Sequence, residues 1–326
     1  MSISRREFLE GTLLTGLTAG CVVAEEGSTL LPARILGKTG VRVSILGMGA
    51  GRFLLYKEED KAIEAVRKGL DLGINYIDTA DAYGRNHLSE VRVGKAIQGR
   101  RDGIFLATKL SNRNGAESQR VIEESLKALQ VSQVDLIHIH ELTNEEDLTA
   151  IEAKGGALEQ VLKLRDQKIT RFIGITSHAD PRVFKTAIER HDFDCAQMTL
   201  NAGMVGMTSG SRKGGLVPDG APNGSFEELA LPVAVRKNMG ILAIKVYAQE
   251  HLIGQASTGK LLYYALSLPI ASAVVGMPKL EHIDENVRLA KAFKPLPPAE
   301  MKDLSTRLSA KNKIALERFF STHVDS

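Results

Sequence analysis

The chain has 326 residues, 43% hydrophobic and 25% charged, with a formal net charge of +3. This profile suits a globular protein with a large core, and it excludes disordered and collagen-like chains. The charge is small and no dense basic run occurs, so no nucleic-acid partner is expected.

The first 24 residues read as an export signal, separate from a single folded domain over 25–326. Ser4-Arg5-Arg6-Glu7-Phe8-Leu9 resembles the twin-arginine motif. The uncharged stretch Gly11 to Ala24 that follows is too short and weak to span a membrane. Val22-Val23-Ala24 suits cleavage before Glu25, which implies the twin-arginine (Tat) export machinery as a partner and a periplasmic location. Thr18-Ala19-Gly20-Cys21 is an imperfect lipobox, so lipidation at Cys21 is the alternative. The only other cysteine is Cys195. The mature domain therefore has one thiol, no disulfide and no cysteine cluster for a metal.

Lys38-Thr39-Gly40 reads as the turn of a hairpin within Ala33–Leu46. The first long strand and its loop follow as Leu46-Gly47-Met48-Gly49-Ala50-Gly51. These glycines do not make G-x-G-x-x-G. Gly49 is read instead as a place where the backbone approaches a ligand closely.

Helical and strand patterns then alternate. Helices are predicted near Glu58–Leu72, Leu88–Ile97, Glu117–Leu129, Ala157–Gln167 and Pro181–Arg190. Strands are predicted at Ile74–Asp78, Ile104–Lys109, Val134–His140, Phe172–Ile175, Cys195–Thr199, Ile241–Lys245 and Ala273–Val275. With the first strand they number eight, the count of a (β/α)8 barrel in the α/β class. Gly203 to Ser225 is rich in Gly, Ser and Pro without apolar period. It is read as a lid carrying Arg212 and Lys213, with a disordered insertion as the alternative. Beyond Pro295-Leu296-Pro297-Pro298, a C-terminal helix is expected to pack on the barrel.

Four residues at predicted strand ends suit one chemistry. Asp78 and Tyr83 follow one strand, Lys109 ends the next and His140 ends the third. A phenol is a poor acid near neutral pH, with a reference pKa of roughly 10. A neighbouring ammonium favours phenolate. A carboxylate holds that ammonium charged, and a histidine beside the phenol orients a carbonyl or shares the phenol's proton. Together they make a general acid for carbonyl reduction by hydride.

Asn75-Tyr76-Ile77-Asp78-Thr79-Ala80-Asp81-Ala82-Tyr83-Gly84, Leu106-Ala107-Thr108-Lys109 and Asp135-Leu136-Ile137-His138-Ile139-His140 together resemble the aldo-keto reductases. The resemblance runs from about Arg34 to about Ala290. It implies a TIM barrel whose N-terminal end is closed by the hairpin. It also implies a catalytic tetrad of Asp78, Tyr83, Lys109 and His140, the cofactor NADP with NAD as the alternative, and a carbonyl or sugar substrate. Gly174-Ile175-Thr176-Ser177-His178 departs from the family pattern, placing Thr176 and Ser177 where the nicotinamide carboxamide is bonded. Gln197 would hold that carboxamide from the other side. The place of a stacking tyrosine falls on Val246, with Tyr247 next to it. Lys245 is a candidate phosphate contact. Val275 to Asn286 resembles the family's adenosine clamp. It offers Gly276 to phosphate, Lys279 and His282 to a 2′-phosphate, and Glu285 and Asn286 to adenine.

Two other functions compete. His138-Ile139-His140-Glu141 looks like a metal pair, since i and i+2 share one face of a strand, which would suit a hydrolase. No matching His and Asp set follows on later strands. A nucleotide-binding sensor without turnover is the non-enzymatic reading.

Overall fold

The computed structural model describes residues 31–209, 216–219 and 224–321. The expected export signal, Cys21, Arg212 and Lys213 lie outside the described residues.

Two short strands open the chain, β1 (Ala33–Ile35) and β2 (Arg42–Ser44), paired antiparallel. Then come β3 (Leu46–Gly49), α1 (Glu59–Asp71), β4 (Tyr76–Asp78), α2 (Leu88–Ile97), β5 (Phe105–Leu110), α3 (Gly115–Leu129) and β6 (Val134–Ile139). Two helices, α4 (Glu145–Glu152) and α5 (Ala157–Asp166), precede β7 (Thr170–Ser177), α6 (Pro181–Arg190) and β8 (Cys195–Thr199). A short excursion holds β9 (Gly206–Ser209) and β10 (Leu216–Asp219), followed by α7 (Phe226–Leu229) and α8 (Leu231–Arg236). The chain ends with β11 (Gly240–Ile244), α9 (Thr258–Ser267), β12 (Ser272–Val275), α10 (Leu280–Lys291) and α11 (Pro298–Ser321).

Eight of these strands close into a barrel in the order β11, β12, β3, β4, β5, β6, β7, β8. Every neighbouring pair is parallel. Strands covered on both faces read as continuous apolar runs, which is why their number was legible. Their alternation divides the core in two. One set of side chains fills the barrel, including Tyr76, Phe105, Leu136, Leu242 and Val274. The other set, including Ile77, Leu106, Ile137, Ile175 and Met198, meets the buried helix faces outside. Within the barrel, Tyr76, Phe105 and Phe172 stack with ring centroids 5.4 and 6.1 Å apart. Each such pair adds about 0.5–1.5 kcal/mol beyond its buried area. Leu36 and Val43 of the β1–β2 hairpin join this inner cluster, so the hairpin closes that end as expected.

Local capping explains where helices begin. Asn114 accepts from the backbone N–H of Ala116 and Glu117 at the start of α3. Asp180 does the same for Arg182 and Val183, with Pro181 opening α6. Such caps are worth about 1 kcal/mol each.

Two expectations need correction. Gly203 to Ser225 is not structureless throughout, because β9 and β10 pair antiparallel over four residues each. Gly/Pro content hid this pairing, and the Met207 N–H, bonded to the His178 carbonyl at 2.7 Å, ties β9 to the end of β7. Helices α7, α8 and α9 had no counterpart in the sequence reading, and neither had α4. It is only eight residues long, and its evident signals are the Asn144 cap and three acidic residues in its first turn.

Candidate active site

The barrel register delivers four polar side chains to one end. Asp78 closes β4, Lys109 lies near the end of β5, His140 follows β6, and Tyr83 sits on the loop after β4. The Lys109 ammonium donates to Asp78 Oδ2 at 2.5 Å, to the Thr79 carbonyl at 2.8 Å and to the Tyr83 hydroxyl at 3.2 Å. All three of its protons are thereby used. Asp78 Oδ1 accepts from Gln197 Nε2 at 3.0 Å, which brings β8 into the cluster. The Tyr83 and His140 rings meet edge to face, with centroids 5.6 Å apart.

Burial dominates the electrostatics of this group. It raises the Tyr83 phenol above its ordinary value, against the opposing pull of Lys109. The sequence led to the opposite expectation, because the ammonium was visible there and the depth of the phenol was not. Desolvation disfavours charged Lys109, yet Asp78 and Tyr83 together hold its pKa above the usual lysine range. Burial, then the Lys109 charge, pushes His140 well below the imidazole range. At neutral pH the cluster is therefore a protonated phenol, a charged lysine and a neutral histidine.

The expected cofactor residues divide into those that present polar atoms and those that do not. Thr176 and Gln197 are register partners on β7 and β8. Gln197 Oε1 has no partner among the described residues. Thr176 Oγ1 accepts from the Glu141 N–H at 2.8 Å, which leaves its own proton to donate. Ser177 is different. It is fully buried and donates to the Leu142 carbonyl at 2.7 Å, so its hydroxyl is spent on the loop after β6. Strand alternation alone could not show this, because that loop forms only in the fold.

The end of β11 also differs from expectation. Lys245 has a left-handed φ of 56°, which breaks the strand alternation. Val246 is consequently only 2% exposed and packs in the outer core, so it has no face for a ring to stack on. Tyr247 donates to Asn286 Oδ1 at 2.7 Å, and Asn286 Nδ2 donates to the His282 carbonyl at 2.7 Å. Asn286 is thus buried, with one hydrogen bond made at each of its two polar atoms. Helical spacing put it beside Glu285 but did not reveal its partner on β11's loop. Glu285 and His282 are half-buried, and Lys279 is exposed at the N-cap of α10, where no side chain caps the helix.

Gly49 and Gly276 serve close packing. A Cβ at Gly49 would sit 3.3 Å from the Gly276 backbone nitrogen, so this approach is to β12 rather than to a ligand. A Cβ at Gly276 would lie 2.3 Å from Arg52 Cγ. Arg52 therefore lies across Gly276, and its guanidinium is 3.6 Å from Glu250. Lys245 lies within the field of Arg52. Burial, then that repulsion, lowers its pKa to about 8.

Several residues that sequence reasoning left unassigned support the site. Ser111 Oγ lies 2.7 Å from Asp81 Oδ1 and 3.0 Å from His140 Nδ1. Arg113 donates to the His140 carbonyl at 2.7 Å and pairs with Asp147 through both Nε and Nη2. No spacing rule links these positions, since they meet only because β4, β5 and β6 are neighbours. Among the described residues no three His, Cys, Asp or Glu side chains converge as a metal-ligand set. His138 is fully buried and neither ring nitrogen has a partner among the described residues, so it does not pair with His140.

A closed parallel barrel with an acid–base cluster at the carboxyl ends of its strands defines a (β/α)8-barrel enzyme scaffold. The aldo/keto reductase family model matches residues 45–205. The uncharacterized oxidoreductase YqkF of Bacillus subtilis is 28% identical over 288 residues, which is 79% of this chain and 91% of that protein. L-galactose dehydrogenase of Arabidopsis thaliana is 36% identical over 168 residues, 45% of this chain and 49% of that protein. Among solved structures, the holo form of aldo-keto reductase AKR11C1 from Bacillus halodurans aligns with a TM-score of 0.67 at 25% identity. That alignment covers 85% of this chain and 96% of the other. An aldo-keto reductase from Klebsiella pneumoniae in complex with NADPH aligns with a TM-score of 0.62 at 21% identity, over 84% of this chain and 94% of the other. The chain belongs to the aldo/keto reductase family, a family of oxidoreductases.

Proposed function

We propose that the protein is an NAD(P)H-dependent oxidoreductase acting on a carbonyl and alcohol pair, with Tyr83 as the general acid. The observation that carries this reading is the Lys109 ammonium lying between Asp78 Oδ2 and the Tyr83 hydroxyl, at 2.5 and 3.2 Å. The phenol oxygen accepts from Lys109, so its own proton points elsewhere and is free to donate. The ammonium stabilises the phenolate left behind, which is how a weak acid serves at neutral pH.

The donor set fits a nicotinamide nucleotide. Gln197 Oε1 and the Thr176 hydroxyl offer one acceptor and one donor side by side, the complement of a carboxamide. Arg52, Lys245 and the open start of α10 suit phosphates, and Lys279 suits a 2′-phosphate. The nucleotide, when bound, supplies the hydride. Tyr83 gives the proton at its hydroxyl, Lys109 holds the developing charge, and Asp78 keeps Lys109 charged. NADP is favoured over NAD because cations surround the proposed phosphate positions. A small carbonyl compound or sugar is the proposed substrate.

The test is Tyr83→Phe. Turnover of an aldehyde panel with NADPH is expected to fall by roughly 10²–10⁴, the usual cost of losing one acid–base group. Nucleotide affinity, followed by fluorescence quenching, is expected to stay near wild type. Near-normal kcat would remove Tyr83 from its role. Unchanged binding with no turnover of any substrate in the wild type would favour the sensor.

We also propose twin-arginine export to the periplasm, motivated by Arg5 and Arg6 before the uncharged stretch. A receptor that reads the guanidinium fork need not accept ammonium. Processed protein in the periplasm of cells carrying Arg5→Lys with Arg6→Lys would refute that route.

A further inference from the structure

The first turn of α2 reaches back to the proposed site through Ser89, which is fully buried. Its N–H donates to the Tyr83 carbonyl at 3.0 Å. Its hydroxyl lies 3.1 Å from the Ala50 carbonyl oxygen and 2.9 Å from the Thr79 hydroxyl. A carbonyl only accepts, so the single Ser89 hydroxyl proton goes to Ala50, and the Thr79 hydroxyl donates to Ser89. One side chain thereby joins the segment after β3 to the end of β4.

Each partner of Ser89 leads to the phenol. Thr79 offers its carbonyl to the Lys109 ammonium at 2.8 Å, and that ammonium is 3.2 Å from the Tyr83 hydroxyl. Ala50 opens the segment Ala50–Leu55, which lies against the Tyr83 ring. A Cβ on Gly51 would stand 3.2 Å from Cε2 and 3.3 Å from Cζ of that ring. Arg92, one turn further along α2 and only 6% exposed, donates to the Phe53 carbonyl of the same segment at 2.6 Å. The third partner, the Tyr83 carbonyl, belongs to the backbone that carries the ring.

We infer that Ser89 is a positioning residue for the Tyr83 hydroxyl, tying the Tyr83 backbone, the segment behind its ring and the strand end that holds Lys109 to the start of α2. The catalytic half of this inference rests on the proposed role of Tyr83, and the geometric half does not. Ser89 touches no reacting atom. It limits how far the ring and the ammonium can drift apart, and reaction rates fall steeply when a catalytic group is misplaced.

The geometric half is read without turnover. In protein labelled with ¹³C at tyrosine Cζ, the signal that disappears in Tyr83→Phe belongs to Tyr83. Ser89→Ala keeps the N–H contact and removes the two hydroxyl contacts. At neutral pH it is expected to move and broaden the Tyr83 signal, because the phenol and the ammonium are held less closely. Thr79→Val removes one of those contacts and keeps the Thr79 carbonyl, so a smaller change of the same kind is expected. Ser89→Thr, which keeps the hydroxyl, should retain the wild-type signal. A Tyr83 signal unchanged in Ser89→Ala would overturn the inference.

The catalytic half is read as kcat for aldehyde reduction at saturating NADPH. Ser89→Ala is expected to lower it roughly fivefold, the worth of one hydrogen bond. The KM should stay near wild type, since only the transition state uses the aligned phenol. In a Tyr83→Phe background the same substitution should cost nothing further, whereas general damage to the fold would lower turnover in both backgrounds. An equal loss in the two backgrounds, or wild-type kcat in Ser89→Ala, would sink the catalytic half. Full turnover in Tyr83→Phe would remove it together with the general-acid assignment, and the Tyr83 signal would still decide the geometric half.

Discussion

The Lys109 ammonium stands 3.2 Å from the Tyr83 hydroxyl and 4.7 Å from the centre of its ring. One cation thus touches both the oxygen that loses a proton and the π-face that carries the resulting charge.

Lys109→Met removes the cation but keeps much of the volume. It leaves Asp78 buried with Gln197 as its remaining side-chain partner. Breaking a buried pair from one side typically costs about 3–5 kcal/mol. A lower midpoint in urea unfolding and a loss of turnover of roughly 10² or more are expected. Wild-type stability in Lys109→Met would show that Asp78 does not depend on its partner.

The pH profile follows from the directions of the shifts. Tyr83 is raised, so it keeps its proton through neutrality and loses it only above about 10. His140 is lowered, so it stays neutral down through the ordinary imidazole range. At saturating NADPH, the kcat/KM for carbonyl reduction should be flat from about pH 6 to 9 and fall beyond, on the alkaline side. An inflection near pH 6.5 that vanishes in His140→Gln would contradict the buried, neutral histidine.

Lys245 makes the nucleotide site sensitive to mild alkali. Its pKa of about 8 means that it is charged below that pH and neutral above it. Affinity for NADPH should weaken as pH rises through about 8, and binding there should take up a proton, visible by calorimetry in buffers of different ionisation enthalpy. The stability effect has the opposite sense. The folded pKa lies below the unfolded one, so the residue destabilises the fold fully below about 8, and that penalty fades between about 8 and 10.4. Lys245→Met should therefore remove the pH-dependent binding step and raise the melting temperature at pH 7.

Lys279→Ala should weaken NADPH by about tenfold and NADH hardly at all, since one charge-assisted contact is lost. Lys279 is exposed, so the effect should shrink at high salt. Equal weakening of both nucleotides would show that another group reads the 2′-phosphate.

Gly174→Ala tests how tightly the barrel is filled beneath the site. Its Cβ would lie 2.4 Å from His138 Nδ1 and 2.9 Å from the Cys195 carbonyl oxygen. Overpacking of this kind costs about 1–3 kcal/mol. Adding His138→Ala should recover only part of that loss, because the backbone carbonyl remains in the way. Full recovery in the double variant would assign the whole clash to the imidazole.

The sequence alone determined the barrel and the membership of its central cluster. Eight apolar runs at regular spacing require strands buried on both faces. Asp78, Tyr83, Lys109 and His140 each stand at or just beyond a strand end, where a barrel gathers its polar groups. Period and spacing carry that information locally. Tertiary structure decided the rest, since it depended on partners distant in the chain. Ser177 gave its hydroxyl to Leu142, and Asn286 accepted from Tyr247. Val246 turned into the outer core because Lys245 adopts a left-handed backbone. The Tyr83 phenol rose above its usual pKa because the depth of its burial outweighed the ammonium beside it. Asp81, Ser111 and His140 became one chain only because three strands lie side by side. A hydrogen bond's direction depends on every other donor and acceptor within about 3 Å, and that neighbourhood exists only in the fold.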